Sequence, residues 1–300
     1  MKIDSEQPMK WYFHPNIIVR MMYTQQHDSI DSNIDLTPNY NKNLKIGVVI
    51  GTYGATPYID LSLHFLKNVN KIDKILVHDD CSPEREKIKK LCNEYNVDFY
   101  STTENMWHKT CIGSIGDENC FYEGLKWANK NNIDVLVKIS RRMIPCFNWV
   151  DNLKSLILES DGLTFTSYCT RDPFYFRTEM IAMNVKAWTT PYITNIMEWY
   201  IKNNFPVFAE YWYHELARQL DYQNFSIKYN EYKKDHFSGY KKSGYVQWLD
   251  TLGTCRYTNE NRREKVLWHQ YCTENDYFIE SQKIFKNKYS INDFKQIVNI

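Results

Sequence analysis

The feature that most constrains this chain is an alternation between residues 45 and 139, where short apolar runs with strand composition are separated by segments with helical spacing. Lys45 to Gly51 (KIGVVIG) is an apolar run stopped by glycine, and Tyr58 to Lys67 spaces Leu61, Phe65 and Leu66 as a helix does. Lys74 to His78 (KILVH) is a second buried-strand run, after which Ser82 and Pro83 are placed to cap and open a charged helix. Val97 to Tyr100 reads as a third strand, Asp117 as the cap of a helix running through Trp127 and Ala128, and Val135 to Ile139 as a fourth strand. Strands separated by helices of that length cannot pair as hairpins, so they predict parallel βαβ units and an α/β fold.

Past residue 145 the pattern is mixed. A helix is expected from Trp149 to Glu159, strands from Leu163 to Tyr168 and Met180 to Val185, and helices from Tyr192 to Lys202 and Tyr211 to Leu220. Phe225 to Arg263 is rich in Tyr, Lys, Gly and Ser without a period and reads as loops, whereas 276–300 reads as an amphipathic helix. The turn-rich DSNIDLTPNYNKN closes a polar opening stretch. The expected organisation is an arm over 1–43, a main domain over 44–220, and a loop-rich and helical extension over 221–300.

Composition removes several classes of function. Thirty-seven basic residues against 36 acidic ones leave a net charge of +1, so the whole-molecule field offers nucleic acid no attraction and any anion site must be local. The opening MKIDSEQPMKWYFHPN lacks an apolar segment behind a basic one, and no uncharged apolar run reaches the ~18 residues of a membrane span. A cytoplasmic location without a transmembrane segment is therefore expected. The eight cysteines contain no Cys-x-x-Cys pair, which fits reduced thiols better than a zinc site or a disulfide framework. The aromatic share of 16% suits stacking on carbohydrate rings and suits an ordinary core edge equally well. Trp188, Trp199, Trp212 and Trp248 are spread over unrelated elements and read mainly as core.

In open α/β sheets ligands sit beyond the carboxyl ends of the strands, so the residues there carry the functional expectations. The first strand leads into Gly51-Thr52-Tyr53-Gly54, where glycine lets backbone approach a ligand and Tyr53 can stack on a base. The glycines do not follow the G-x-G-x-x-G dinucleotide spacing. The second strand ends in His78-Asp79-Asp80-Cys81-Ser82, placing carboxylates where nucleotide-binding sheets hold a ribose or base. The fourth ends in Lys138-Ile139-Ser140-Arg141-Arg142. Three cations so close together are costly to bury unpaired and are expected to face the same crevice, where paired guanidinium forks suit a diphosphate.

The order KIGVVIGTYG, ILVHDDCSP, the helix CFYEGLKWA and DVLVKISRRMIP resembles the family-two glycosyltransferases of GT-A fold over about residues 44 to 150. It extends weakly to 220, where Phe208-Ala209-Glu210-Tyr211-Trp212 is similar to the acidic motif that supplies the catalytic base of inverting members. The resemblance implies a Rossmann-like, mostly parallel sheet flanked by helices. It also implies a nucleoside diphosphate sugar donor and a glycan or lipid-linked glycan acceptor. Thr52, Tyr53, Asp79, Asp80, Ser140, Arg141 and Arg142 would bind the donor, Glu210 or Glu179 would act as base, and His214 and Glu215 would flank the acceptor. The family's metal-binding Asp-x-Asp is replaced here by Ser140-Arg141-Arg142, and no other Asp-x-Asp exists in the chain. The expectation is transfer without a cofactor or divalent metal; magnesium or manganese would need ligands from Asp79, Asp80 or a later acid. The alternative is a glycan- or nucleotide-binding module that has lost catalysis. A nucleotidyltransferase, which normally holds its phosphates with a metal and a glycine-rich basic loop, fits less well.

Overall fold

The structure is a computed structural model that describes residues 40, 43–106, 115–160, 163–166, 168–169, 175–176, 178–204, 209, 212–213, 216–217, 220, 245–247, 266–268 and 272–295. The arm expected over 1–43 lies outside this set except for Tyr40 and Asn43, and Tyr40 packs against the core.

The first strand, β1 (Ile46–Thr52), is followed by α1 (Thr56–Asn68), β2 (Lys74–Asp79), α2 (Arg85–Tyr95), β3 (Asp98–Ser101), α3 (Ile115–Lys130) and β4 (Val135–Ser140). Then come β5 (Met143–Pro145), α4 (Val150–Ser160), β6 (Thr164–Thr166), β7 (Tyr168–Cys169), β8 (Tyr175–Phe176), β9 (Met180–Asn184), α5 (Val185–Trp188) and α6 (Pro191–Lys202). Beyond residue 220 the elements are β10 (Tyr245–Gln247), β11 (Val266–Trp268), α7 (Glu274–Phe285), a 3-10 turn (Lys286–Lys288) and α8 (Ile291–Lys295).

Seven of these strands form one sheet in the order β10-β6-β9-β4-β1-β2-β3. β4, β1, β2 and β3 run parallel, and β9 lies antiparallel between β4 and β6. The chain has the expected α/β class, a mostly parallel sheet flanked by helices. β1 and β4 are buried on both faces, which is why Val and Ile run through them almost without alternation. Their side chains nevertheless sort by parity. Val49 and Leu136 meet Phe121 and Leu125 of α3, while Val48, Ile50, Val135 and Val137 meet α1, α2 and α4. Two apolar layers thus cover the two faces of the sheet.

Local chemistry sets most helix ends. α1 and α6 carry proline in the first turn, where the missing N–H costs nothing. α2 stops at Asn96, left-handed at φ 52°, and α5 starts where the Asn184 side chain accepts from Ala187 N at 2.9 Å. Four expectations need correction. Ser82 is not the cap of α2, which opens at Arg85 behind Glu84; the Asp79 side chain holds Ser82 N at 2.9 Å and a turn of chain intervenes. Asp117 lies inside the first turn of α3 rather than before it. The run 163–168 is divided between β6 and β7. The C-terminal helix is two helices, because Lys286 adopts φ 55° and breaks the hydrogen-bond ladder. A capping box between Thr273 and Asp276 starts the first of these.

Elements from beyond residue 220 join the body. β10 extends the sheet at the β6 edge, and β11 pairs antiparallel with β5. α7 and α8 pack on α1 in a third apolar cluster that includes Tyr58, Leu61, Phe65, Ile144, Tyr277 and Phe294.

Candidate active site

β1 has β2 on one side and β4 on the other, both parallel; the chain goes from β1 to β2 and β3 on one side and then crosses back to β4 on the other. This is the point in an open sheet where crossover helices diverge and a crevice forms at the carboxyl ends. Register places Ser140 opposite Gly51, Thr52 opposite Asp79, and Asp79 opposite Ser101. The strand ends picked from the sequence therefore form one row.

The carboxylates come first. Asp79 is fully buried, and its Oδ2 accepts from Ser82 N at 2.9 Å and from Ser101 Oγ at 3.2 Å. Its Oδ1 is buried with no hydrogen-bond partner, as is Ser82 Oγ beside it. Asp80 Oδ1 accepts from Met106 N at 2.9 Å and Thr102 Oγ1 at 3.2 Å, bracing the chain after β3. Serine and threonine at 101 and 102 were not singled out from the sequence; their signal is that two adjacent acids at a strand end need donors from the neighbouring strand. Thr52 Oγ1 donates to Gly54 O, and Gly54 takes the left-handed φ of 69° that the turn requires. Gly51 answers a different need. A Cβ there would lie 2.9 Å from Cys120 Sγ, so its missing side chain admits α3.

The three cations separate, which corrects the expectation that all face the crevice. Pleat alternation turns Lys138, like Leu136, onto the face covered by α3, where it is fully buried. Its Nζ donates to Thr178 O at 2.8 Å, pairs with Asp117 Oδ1 and lies 5.9 Å from the centre of the Tyr213 ring. Arg141 turns the other way. Its Nη1 donates to Tyr53 O at 2.6 Å, so the guanidinium links the chain after β4 to the chain after β1. Burial, and then the neighbouring Arg142 charge, pull its pKa down to about 10, which leaves it charged at neutral pH. The Arg142 carbonyl accepts from Tyr277 Oη at 2.6 Å, so α7 holds the turn from behind. Tyr58 stacks obliquely on Tyr277 at 4.7 Å, and burial with Glu274 nearby pushes its hydroxyl up to about 12.

Glu179 is buried just before β9, and its carbonyl accepts from Ser140 N at 2.8 Å. The structure thus brings Glu179, Ser140 and Arg141 together with Thr52, Tyr53, Asp79 and Asp80. Glu210, His214 and Glu215 lie outside the described residues. Ala209, Trp212, Tyr213, Leu216, Ala217 and Leu220 around them are buried in the layer over α3, and Tyr213 Oη donates to Asp117 O at 3.2 Å. Among the described residues no three His, Cys, Asp or Glu side chains are grouped to hold a metal ion, and no helix is long and apolar enough to cross a membrane.

No protein-family model matches the chain, and no curated protein matches it. Among solved structures it is similar to a cytidylyltransferase from Leptospira borgpetersenii serovar Hardjo-bovis, at TM-score 0.39 and 14% identity over 85% of this chain and 94% of that one. It is also similar to S. aureus TarS in complex with UDP-GlcNAc, at 0.35 and 13% over 48% of this chain and 46% of that one. A third is the glycosyltransferase GlyE of Streptococcus pneumoniae TIGR4, at 0.40 and 15% over 69% of this chain and 45% of that one. The chain spans less than half the length of the last two. Likeness at these scores and identities transfers no activity.

Proposed function

We propose that this protein is a glycosyltransferase that moves a sugar from a nucleoside diphosphate donor to a hydroxyl of a glycan or lipid-linked glycan, with inversion and without a divalent metal. The observation that carries the reading is the Arg141 guanidinium, tied to Tyr53 O across the divergence of β1 and β4. A guanidinium has five N–H donors, so one bond to the carbonyl leaves the others for phosphate oxygens. The motif order of the sequence agrees, with carboxylates ending β2 and a Ser-Arg-Arg turn ending β4.

In this reading the base or ribose of the donor lies against the Asp79-Asp80 turn, whose carboxylates are braced by Ser82 N, Ser101, Thr102 and Met106 N. The acceptor hydroxyl attacks the anomeric carbon from the face opposite the diphosphate and gives its proton to a carboxylate, Glu179 or Glu210, as the new C–O bond forms. The bond to the diphosphate breaks with its electron pair on the leaving oxygen, where Arg141 and Arg142 stabilise the added charge. Metal is dispensable because the turn offers a hydroxyl and two cations where Mg²⁺ or Mn²⁺ would need carboxylate oxygens. The main domain over 44–220 holds the donor, and the segments beyond it support the arginine turn.

Calorimetry with UDP, GDP and dTDP in EDTA, followed by a donor hydrolysis assay, tests this. One nucleotide should bind without metal, and Arg141→Ala should weaken binding or turnover by about tenfold or more, the scale of a charged hydrogen bond. Glu179→Gln and Glu210→Gln should keep binding, and one of them should abolish turnover. Silence toward all three nucleotides, or activity that EDTA removes and manganese restores, would overturn the metal-free transferase.

A further inference from the structure

The buried ion pair beneath the crevice has no part in the mechanism above. Lys138 stands in the middle of an otherwise apolar strand, and its side chain is 1% exposed against 23% for Asp117. Taking two charges out of water costs about as much as their attraction returns, so a well-packed apolar pair would serve stability as well or better. What apolar side chains cannot do is fix direction. Lys138 Nζ ends on Thr178 O at 2.8 Å, the residue before Glu179, and on Asp117 in the first turn of α3. Tyr213, in the chain just after the Glu210 motif, reaches the same carboxylate with its hydroxyl at 3.3 Å from Asp117 Oδ2. The ammonium thus joins the strand that ends in Ser140-Arg141, the residue before Glu179 and the first turn of α3, and Tyr213 is held through Asp117.

We infer that Lys138 is a positioning residue that holds the Thr178-Glu179 corner against Ser140 and Tyr213 against α3, setting Glu179 at a fixed distance from the arginine turn. The inference rests on the transferase reading for its consequence in turnover, but the tether is testable without any substrate. Ser140 N–H donates to Glu179 O at 2.8 Å, so its exchange with solvent reports whether that corner stays in place.

The experiment uses the full chain in two forms. Lys138→Met leaves Asp117 without its cation and is expected to lower the melting temperature. Lys138→Met with Asp117→Leu removes both charges, and Tyr213 keeps the Asp117 backbone carbonyl as acceptor, so the double variant is expected to melt near the parent. In the double variant the Ser140 amide should exchange at least about tenfold faster, with amides of the β1–β2 ladder unchanged. Nucleoside diphosphate affinity should stay within about twofold, while kcat for transfer or donor hydrolysis falls at least about tenfold with KM little changed, because only the transition-state geometry is lost. A double variant with parental Ser140 exchange, or with faster exchange and parental kcat, overturns the inference and leaves the pair a packing feature. If the parent binds no nucleoside diphosphate the transferase reading falls, and the Ser140 exchange alone then decides whether Lys138 holds the corner.

Discussion

His78 lies on β2 with its ring stacked on Tyr100 at 5.1 Å and its Nε2 3.2 Å from Asn119 Nδ2. An amide nitrogen can only donate, so Nε2 accepts and the proton belongs on Nδ1, which is buried without a partner. Burial pulls the pKa from 6.5 down to about 4. The folded protein therefore binds this proton less readily than the unfolded chain. The contribution is complete above pH 6.5 and is lost as pH falls from 6.5 toward 4, because unfolding takes up a proton in that window. Two and a half pKa units correspond to about 3 kcal/mol. Urea titrations at pH 7 and pH 4.5 should show the parent losing more stability than His78→Gln by a large part of that amount. Equal losses would show that the ring is accessible to protonation in the folded state. At this scale the sequence was partly legible: the acids and cations at strand ends were visible as a row, since period 2 and the end of an apolar run locate them. Period 2 also separates Lys138 from Arg141, but what holds Lys138 in the interior was not legible, because Asp117 arrives from α3.

Among the elements, α3 approaches β1 closely enough that two glycines are needed between them. A Cβ on Gly124 would lie 2.8 Å from Val49 Cγ1, and one on Gly51 would lie 2.9 Å from Cys120 Sγ. One glycine on each element lets the helix lie nearly flush on the strand that bounds the crevice. Gly124→Ala sets two effects against each other. Helix propensity favours alanine by about 1 kcal/mol, while overpacking against a stiff β-branched neighbour costs about 1–3 kcal/mol. The clash wins, and the variant should be less stable by about 1 kcal/mol in urea; a variant more stable than the parent would mean that Val49 gives way freely. The run of elements from β1 to β4 was legible because each is bounded by its own glycine, proline or asparagine. The break between α7 and α8 was not. It falls at Lys286-Asn287-Lys288, where a lysine takes a φ of 55° without glycine or proline to mark it.

At the scale of the whole molecule, the C-terminal helices were the least legible part, because their partners lie more than 100 residues away. Asp60, in the middle of α1, is fully buried. Its Oδ1 accepts from Tyr95 Oη at 2.7 Å, and its Oδ2 accepts from Lys288 Nζ at 2.6 Å and Tyr289 Oη at 2.7 Å. Two of its three donors come from beyond α7. The same helices supply Tyr277 and Phe294, both buried, to the cluster with Tyr58, Leu61 and Phe65. A chain ending at Gln270 loses these side chains, each contributing about 1.5–3 kcal/mol of burial, and leaves Asp60 with one donor of three. The sum is on the order of 5 kcal/mol, a large share of the 5–15 kcal/mol typical of a folded domain. The shortened chain should therefore melt at least ~10 °C lower. It also loses the Tyr277 hydroxyl that holds the Arg142 carbonyl, so whatever remains folded should bind nucleoside diphosphate more weakly. Tyr277→Phe separates the two effects, since it keeps the ring in the cluster and removes only that hydrogen bond. It should cost about 1 kcal/mol in stability and reproduce the loss of affinity. If the shortened chain melts within a few degrees of the parent and binds nucleotide equally well, α7 and α8 are an appendage and the arginine turn is held by β4 and Tyr53 alone.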